Sequence, residues 1–194
     1  MTRLLSLVAA GICCTACAGD HENAAASTAR PQTGAGCIPG GGGLLQAQLR
    51  GAVTADLDWH NADMLCAGGP RPDGKGVRLT IAGKLPGTAG LPPRQLRFIF
   101  GVEQRDVAAG AAQALPTNLT VILEGEQQVY ATRGTTQCAV ESLELTPLAG
   151  SNNKVNRVHA RGYCVGPATN VAGDARLLVP TFEFTAVADT ELEP

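Results

Sequence analysis

From Leu45 to Trp59 the chain alternates. The odd positions are apolar or glycine: Leu45, Ala47, Leu49, Gly51, Val53, Ala55, Leu57 and Trp59. The even positions other than Ala52 are polar: Gln46, Gln48, Arg50, Thr54, Asp56 and Asp58. A period of two sends successive side chains to opposite faces of a strand. Straight, such a run would measure about 50 Å at roughly 3.3 Å per residue, longer than domain strands usually are. Gly51 is therefore expected to bend it, so that one strand serves two sheets or turns a barrel corner with the same face inward.

The period returns down the chain. "VRLTIAG" places Val77, Leu79 and Ile81 on one face, "QLRFIFGVE" does so with Leu96, Phe98, Phe100 and Val102, and "NLTVILEG" with Leu119, Val121 and Leu123. "EGEQQ" reads as a hairpin loop into "VYATR". "CAVESLEL" changes phase near Ser142, the mark of a bulge, and "NRVHARGYC" alternates again. "RLLVPTFEF" closes the series, with Pro180 pointing to an edge strand or a bulge. Only residues 105–115 look helical, with Asp106 as cap and Pro116 as stop. These runs predict an all-β body: an antiparallel β-sandwich or open barrel of eight or nine strands, with at most one short helix.

The totals agree with such a fold. The 24 glycines and 12 prolines suit many tight turns. Aromatic residues make up only 4% of the chain, so a core of Leu, Val, Ile and Ala is expected. The formal charge is −2, and no basic excess marks a nucleic-acid partner.

The N-terminus reads as a secretory leader. Arg3 supplies positive charge, and the apolar run from Leu4 to Ala16 is too short to span a bilayer stably. Ala16-Cys17-Ala18 fits cleavage after Ala18. Cys14-Thr15-Ala16-Cys17 resembles the lipobox of bacterial lipoproteins, in which a small residue precedes the lipidated cysteine; Cys14 stands where that family usually has Leu. The resemblance implies lipidation at Cys17, and Ala18 after it implies the outer membrane, facing the periplasm or the surface. Cleavage without lipid implies a soluble periplasmic or secreted protein. Residues 18–36 carry no apolar period, as expected of a disordered stalk with a reach of roughly 25 Å. The domain reading is a leader over 1–17, a tether over 18–43, a β domain over 44–188 and an acidic tail over 189–194. Leader plus β body resembles uncharacterised bacterial envelope lipoproteins, a likeness that brings no active site with it.

Three of the seven cysteines belong to the leader, which leaves Cys37, Cys66, Cys138 and Cys164. An even number in an exported chain reads as two disulfides. Cys138 and Cys164 lie in consecutive strand-like runs, so Cys138–Cys164 is the expected pair, leaving Cys37–Cys66. The four body cysteines offer no C-x-x-C spacing and the chain no H-x-x-x-H, so zinc is not supported, and no cofactor is implied.

Candidate chemistry is sparse. "GPRPDGKG" (69–76) imitates a phosphate-binding loop but has Gly76 where the motif needs Ser or Thr, and a strand-like run follows it. "GYCVG" imitates a nucleophile elbow, with Cys164 expected to be oxidised. In "DLDWHNAD" the side chains of Asp56, Asp58 and His60 share a strand face with Asp63 just beyond, a set that would suit a divalent metal or acid–base work. In "RVHARGY" Arg157, His159, Arg161 and Tyr163 share a face, a basic stripe for an anionic ligand such as a lipid headgroup or acidic glycan. Trp59 is either a sugar platform or, by its phase with Val53 and Leu57, part of the core. The expectation is a membrane-tethered, non-catalytic binding or structural module of the cell envelope, taking an anionic ligand or an envelope protein. The alternative is a metal-assisted hydrolase built on Asp56, Asp58, His60 and Asp63.

Overall fold

The structure, a computed structural model, describes residues 36–85, 87, 93–104 and 114–189. About two thirds of the described residues are strand. In chain order these are β1 (Leu44–Gly51), β2 (Ala55–His60), β3 (Met64–Pro70), β4 (Gly76–Leu85), β5 (Arg94–Glu103) and β6 (Leu115–Glu124). They continue with β7 (Gln128–Ala131), β8 (Cys138–Pro147), β9 (Val155–Cys164), β10 (Ala168–Asn170), β11 (Arg176–Leu178) and β12 (Thr181–Asp189). One 3-10 turn, Asn61–Asp63, joins β2 to β3. The segment 105–115 expected to be helical falls mostly outside the described residues, and its last residue, Leu115, opens β6.

The alternating run that opens the body is a hairpin, not one bent strand. β1 and β2 pair antiparallel, with Leu45 opposite Trp59, Ala47 opposite Leu57 and Gln46 opposite Asp58. Each pair joins two odd or two even residue numbers, so the hairpin keeps the odd positions on one face, as the phase requires. Gly51 makes the turn possible. Its φ is +106°, and a Cβ there would stand 2.5 Å from the carbonyl oxygen of Arg176. The amide of Ala52 donates to that same oxygen at 2.9 Å.

All strand pairs are antiparallel. Eight strands form a closed circuit of pairings: β6–β7–β10–β11–β1–β12–β9–β8 and back to β6. β5, β4 and β3 continue outward from β6, and β2 continues outward from β1. The result is a sandwich whose two layers, β3-β4-β5-β6 and β2-β1-β12-β9-β8, merge at one corner into a barrel-like ladder. β6 makes the merger: Leu115 to Thr117 pair with β8, while Thr120 to Leu123 pair with β7.

The count of twelve exceeds the eight or nine expected, for local reasons. β10 and β11 are three residues each, too short to carry a period. β3, "MLCAGGP", is disguised by its glycines and proline. Pro180 marks neither an edge strand nor a bulge. It separates β11 from β12, and β12 is a central strand between β1 and β9. Proline has no N–H for a ladder, so the chain breaks there and resumes beside a new neighbour. The bulge expected near Ser142 is present as a register shift between Val140 and Ser142.

The core holds the inward residues of both layers. All four phenylalanines and Trp59 meet in it. Trp59 stands edge-on to Phe98 at 6.0 Å, Phe98 stacks along Phe100, and Phe100 lies 4.9 and 4.7 Å from Phe182 and Phe184 of the other layer. Few aromatics therefore still yield an aromatic centre, surrounded by Leu, Val, Ile and Ala. Each buried ring contributes roughly 1.5–3 kcal/mol from burial alone.

Both expected disulfides are present, Cys37–Cys66 and Cys138–Cys164. Cys138 and Cys164 are direct cross-strand partners, and Cys138 also faces Thr117 where β6 changes neighbours. Cys37–Cys66 ties the N-terminal entry to β3. Residues 36–43, grouped with the tether by composition, are part of the body: Cys37 and Ile38 are buried. The Asn61 side-chain oxygen accepts from the amides of Ile38 and Gly43 at 2.8 and 3.0 Å, and its main-chain oxygen from Cys37 at 3.0 Å. At the other end Asp189 closes β12 instead of opening the tail.

Candidate functional site

The outer face of β2-β1-β12-β9-β8 carries both candidate clusters. Registers set their spacing. One row across the sheet reads Glu144, His159, Thr185, Leu44, His60; the next reads Ser142, Arg161, Glu183, Gln46, Asp58. The acidic set on β2 and the basic stripe on β9 are three ladder steps apart, about 14 Å at ~4.8 Å per step. They share a face without meeting.

The acidic set is dispersed. Asp56 Oδ1 pairs with Arg50 Nη1 at 2.7 Å, across the hairpin. Asp58 Oδ1 accepts from Gln46 Nε2 at 3.1 Å, and its Oδ2 lies 3.8 Å from His60 Nε2. Asp63 Oδ2 accepts from the His60 amide at 3.0 Å and so braces the 3-10 turn. Each side chain leans on a neighbour instead of converging on a point. Among the described residues no group of three or more His, Cys, Asp or Glu comes together as a metal site would need. A cavity of about 200 Å³ opens between Pro70, Val77, Leu145 and Asn156, and no member of either cluster lines it.

The basic stripe faces out as its period predicts: Val158, Ala160, Gly162 and Cys164 are buried, while Arg157, His159, Arg161 and Tyr163 are not. Its charge is tempered by the flanking strands. His159 Nε2 lies 3.8 Å from Glu183, and its Nδ1 is 3.0 Å from Thr185 Oγ1. Arg157 Nη2 donates to the carbonyl of Gly41 at 3.3 Å, joining β9 to the glycine loop. Arg161 is exposed between Ser142 and Glu183, and Tyr163 lies between Ala139 and Thr181. Glu144 and Glu183 were not visible as parts of this site from sequence. Their strands alternate plainly, but which residues stand opposite Arg161 and His159 depends on register and on the bulge at Ser142.

The other motifs are structural. Trp59 is 4% exposed and belongs to the core. "GPRPDGKG" spans the β3–β4 turn, followed by a strand; Arg71 clasps Asp73 through Nε at 3.1 Å and Nη2 at 2.9 Å. The same guanidinium donates to the Gly101 carbonyl at 2.9 Å and to Asn118 Oδ1 at 3.4 Å. The Arg71 hydrogen bond, and then the Lys75 amide, hold the Asp73 carboxyl below its ordinary pKa. Cys164 of "GYCVG" is in a disulfide.

Comparison with family models, with curated proteins and with solved structures finds no match to this chain.

Proposed function

We propose that the chain is exported, anchored at a membrane through a lipid on Cys17, and acts as a non-catalytic binding module of the bacterial cell envelope. The observation that carries this reading is the pair of disulfides in the body, which suit an oxidising compartment and agree with the leader. A tether like the one expected over residues 18–43, shortened by the part that belongs to the body, would give the body room to work near a surface. The face proposed to bind is the outer side of β9, with Arg161 and Tyr163 foremost. An anionic envelope ligand would meet Arg161 and then Arg157 as separate cations, because Glu144 and Glu183 break the stripe into single charges.

Retention on immobilised acidic envelope glycan tests the binding face. Wild type is expected to be retained and released by salt. Arg157→Ala with Arg161→Ala is expected to weaken retention by roughly tenfold per lost charged contact. Retention unchanged by the double substitution would refute this face.

A further inference from the structure

The opposite outer face, that of β3-β4-β5-β6-β7, has a different chemistry. Its registers bring Leu65, Ile122 and Val129 into one row and Ile99 into the next. Val171 extends the first row, its amide donating to the Val129 carbonyl at 2.9 Å. Leu65 is 59% exposed and Val171 68%. Ala82 and Arg97 stand between Leu65 and Ile122 in the first row, and Ala67, Thr80, Thr120 and Ala131 flank Ile99 in the next, so the face presents methyl groups around one arginine, without aromatic anchors.

Its charge is positive. Arg97 is held by Glu124 at 2.5 Å, while Arg78 and Lys84 stand exposed on the same face. At the neighbouring turn Arg71 lies beside both Asp73 and Glu103, and the Lys75 backbone amide donates to Asp73. On the other outer face Asp56, Asp58, Glu144 and Glu183 stand against Arg50, Arg157 and Arg161, a slight acidic excess. The sandwich therefore has an aliphatic, cationic side and a polar, acidic side.

We propose that the β3–β7 face docks on an anionic phospholipid surface, with Arg78 and Lys84 at the phosphates and Leu65, Ile99, Ile122 and Val171 against the interface. Charge complementarity selects this occupant. In a two-fold stack of two copies the same patch meets itself, setting Arg78 and Lys84 near their own like charges. A protein partner is ordinarily gripped by clustered aromatic anchors, which this face lacks. A bilayer asks only for a flat apolar patch with cations around it. The inference rests on the membrane-surface reading above and adds an orientation to it, in which the Arg161 face looks away from the lipid.

The test uses the exported chain carrying Cys17→Ala, released without lipid by cleavage after Ala18, in co-sedimentation with vesicles. Binding is expected to an equimolar mixture of phosphatidylcholine and phosphatidylglycerol and not to phosphatidylcholine alone. It should be lost as salt rises from about 0.1 M to about 1 M, where screening shortens to ~3 Å. Arg78→Gln with Lys84→Gln should weaken it by roughly thirty-fold, while Arg50→Gln, on the opposite face, should not. Leu65→Gln with Val171→Gln, both exposed and so compatible with folding, should also weaken it. Equal binding to neutral vesicles, or indifference to the Arg78 and Lys84 changes, overturns the proposal. So does a dimer dissolved by the Leu65 and Val171 changes in a chain that ignores vesicles. Because the assayed chain carries no lipid, its outcome is independent of whether Cys17 is modified in the native protein.

Discussion

Gly83 decides where Trp59 can sit. A Cβ on Gly83 would come within 2.7–2.9 Å of three indole atoms, closer than any side chain tolerates, and the ring is enclosed by the Phe98 edge contact. Gly83→Ala must push the indole out of register with Phe98. The expected cost is about 1–3 kcal/mol, as for other overpacked cores. For a domain of this size that lowers Tm by roughly 2–4 °C per kcal/mol. Trp59 is the only tryptophan, so its emission reports the shift directly; an unchanged melt and an unchanged spectrum would contradict this packing. The burial of Trp59 was legible in its phase with Val53 and Leu57. Its neighbours were not. Phe98 lies next to Trp59, and Phe182 next to Phe100, through contacts between distant strands, which local periodicity does not encode.

At the scale of elements, strand existence was legible wherever five or more residues alternated, and so was the Cys138–Cys164 pairing of adjacent strands. What failed was connectivity. Leu45 to Trp59 has an unbroken period because a hairpin pairing odd with odd looks, in sequence, like one strand. The candidate clusters were read correctly as outward faces, but the carboxylates that temper them sit on other strands. The β3–β4 turn yields a pH prediction. Arg71 lowers the Asp73 pKa in the folded chain, so the clasp contributes fully above the unfolded carboxylate value. The contribution disappears as pH falls through the lowered folded value. Asp73→Asn is therefore expected to melt below wild type at neutral pH, with the gap closing in acid; thermal melts across that range check it. The effect is small because Asp73 is solvent-exposed. A gap that widens in acid would reverse the assigned sign.

The described body is a sandwich stapled by two disulfides, one of which, Cys37–Cys66, fixes its N-terminal end. The proposed function joins these features to the leader: a body built for an oxidising compartment, held at a membrane by its N-terminus. Both halves of that claim appear in one measurement, the intact mass of the protein recovered from native envelopes after thiol alkylation under non-reducing conditions. The account predicts a chain beginning at a triacylated Cys17, with Cys37, Cys66, Cys138 and Cys164 unalkylated. A lipid-free N-terminus with all four of those cysteines alkylated would contradict it.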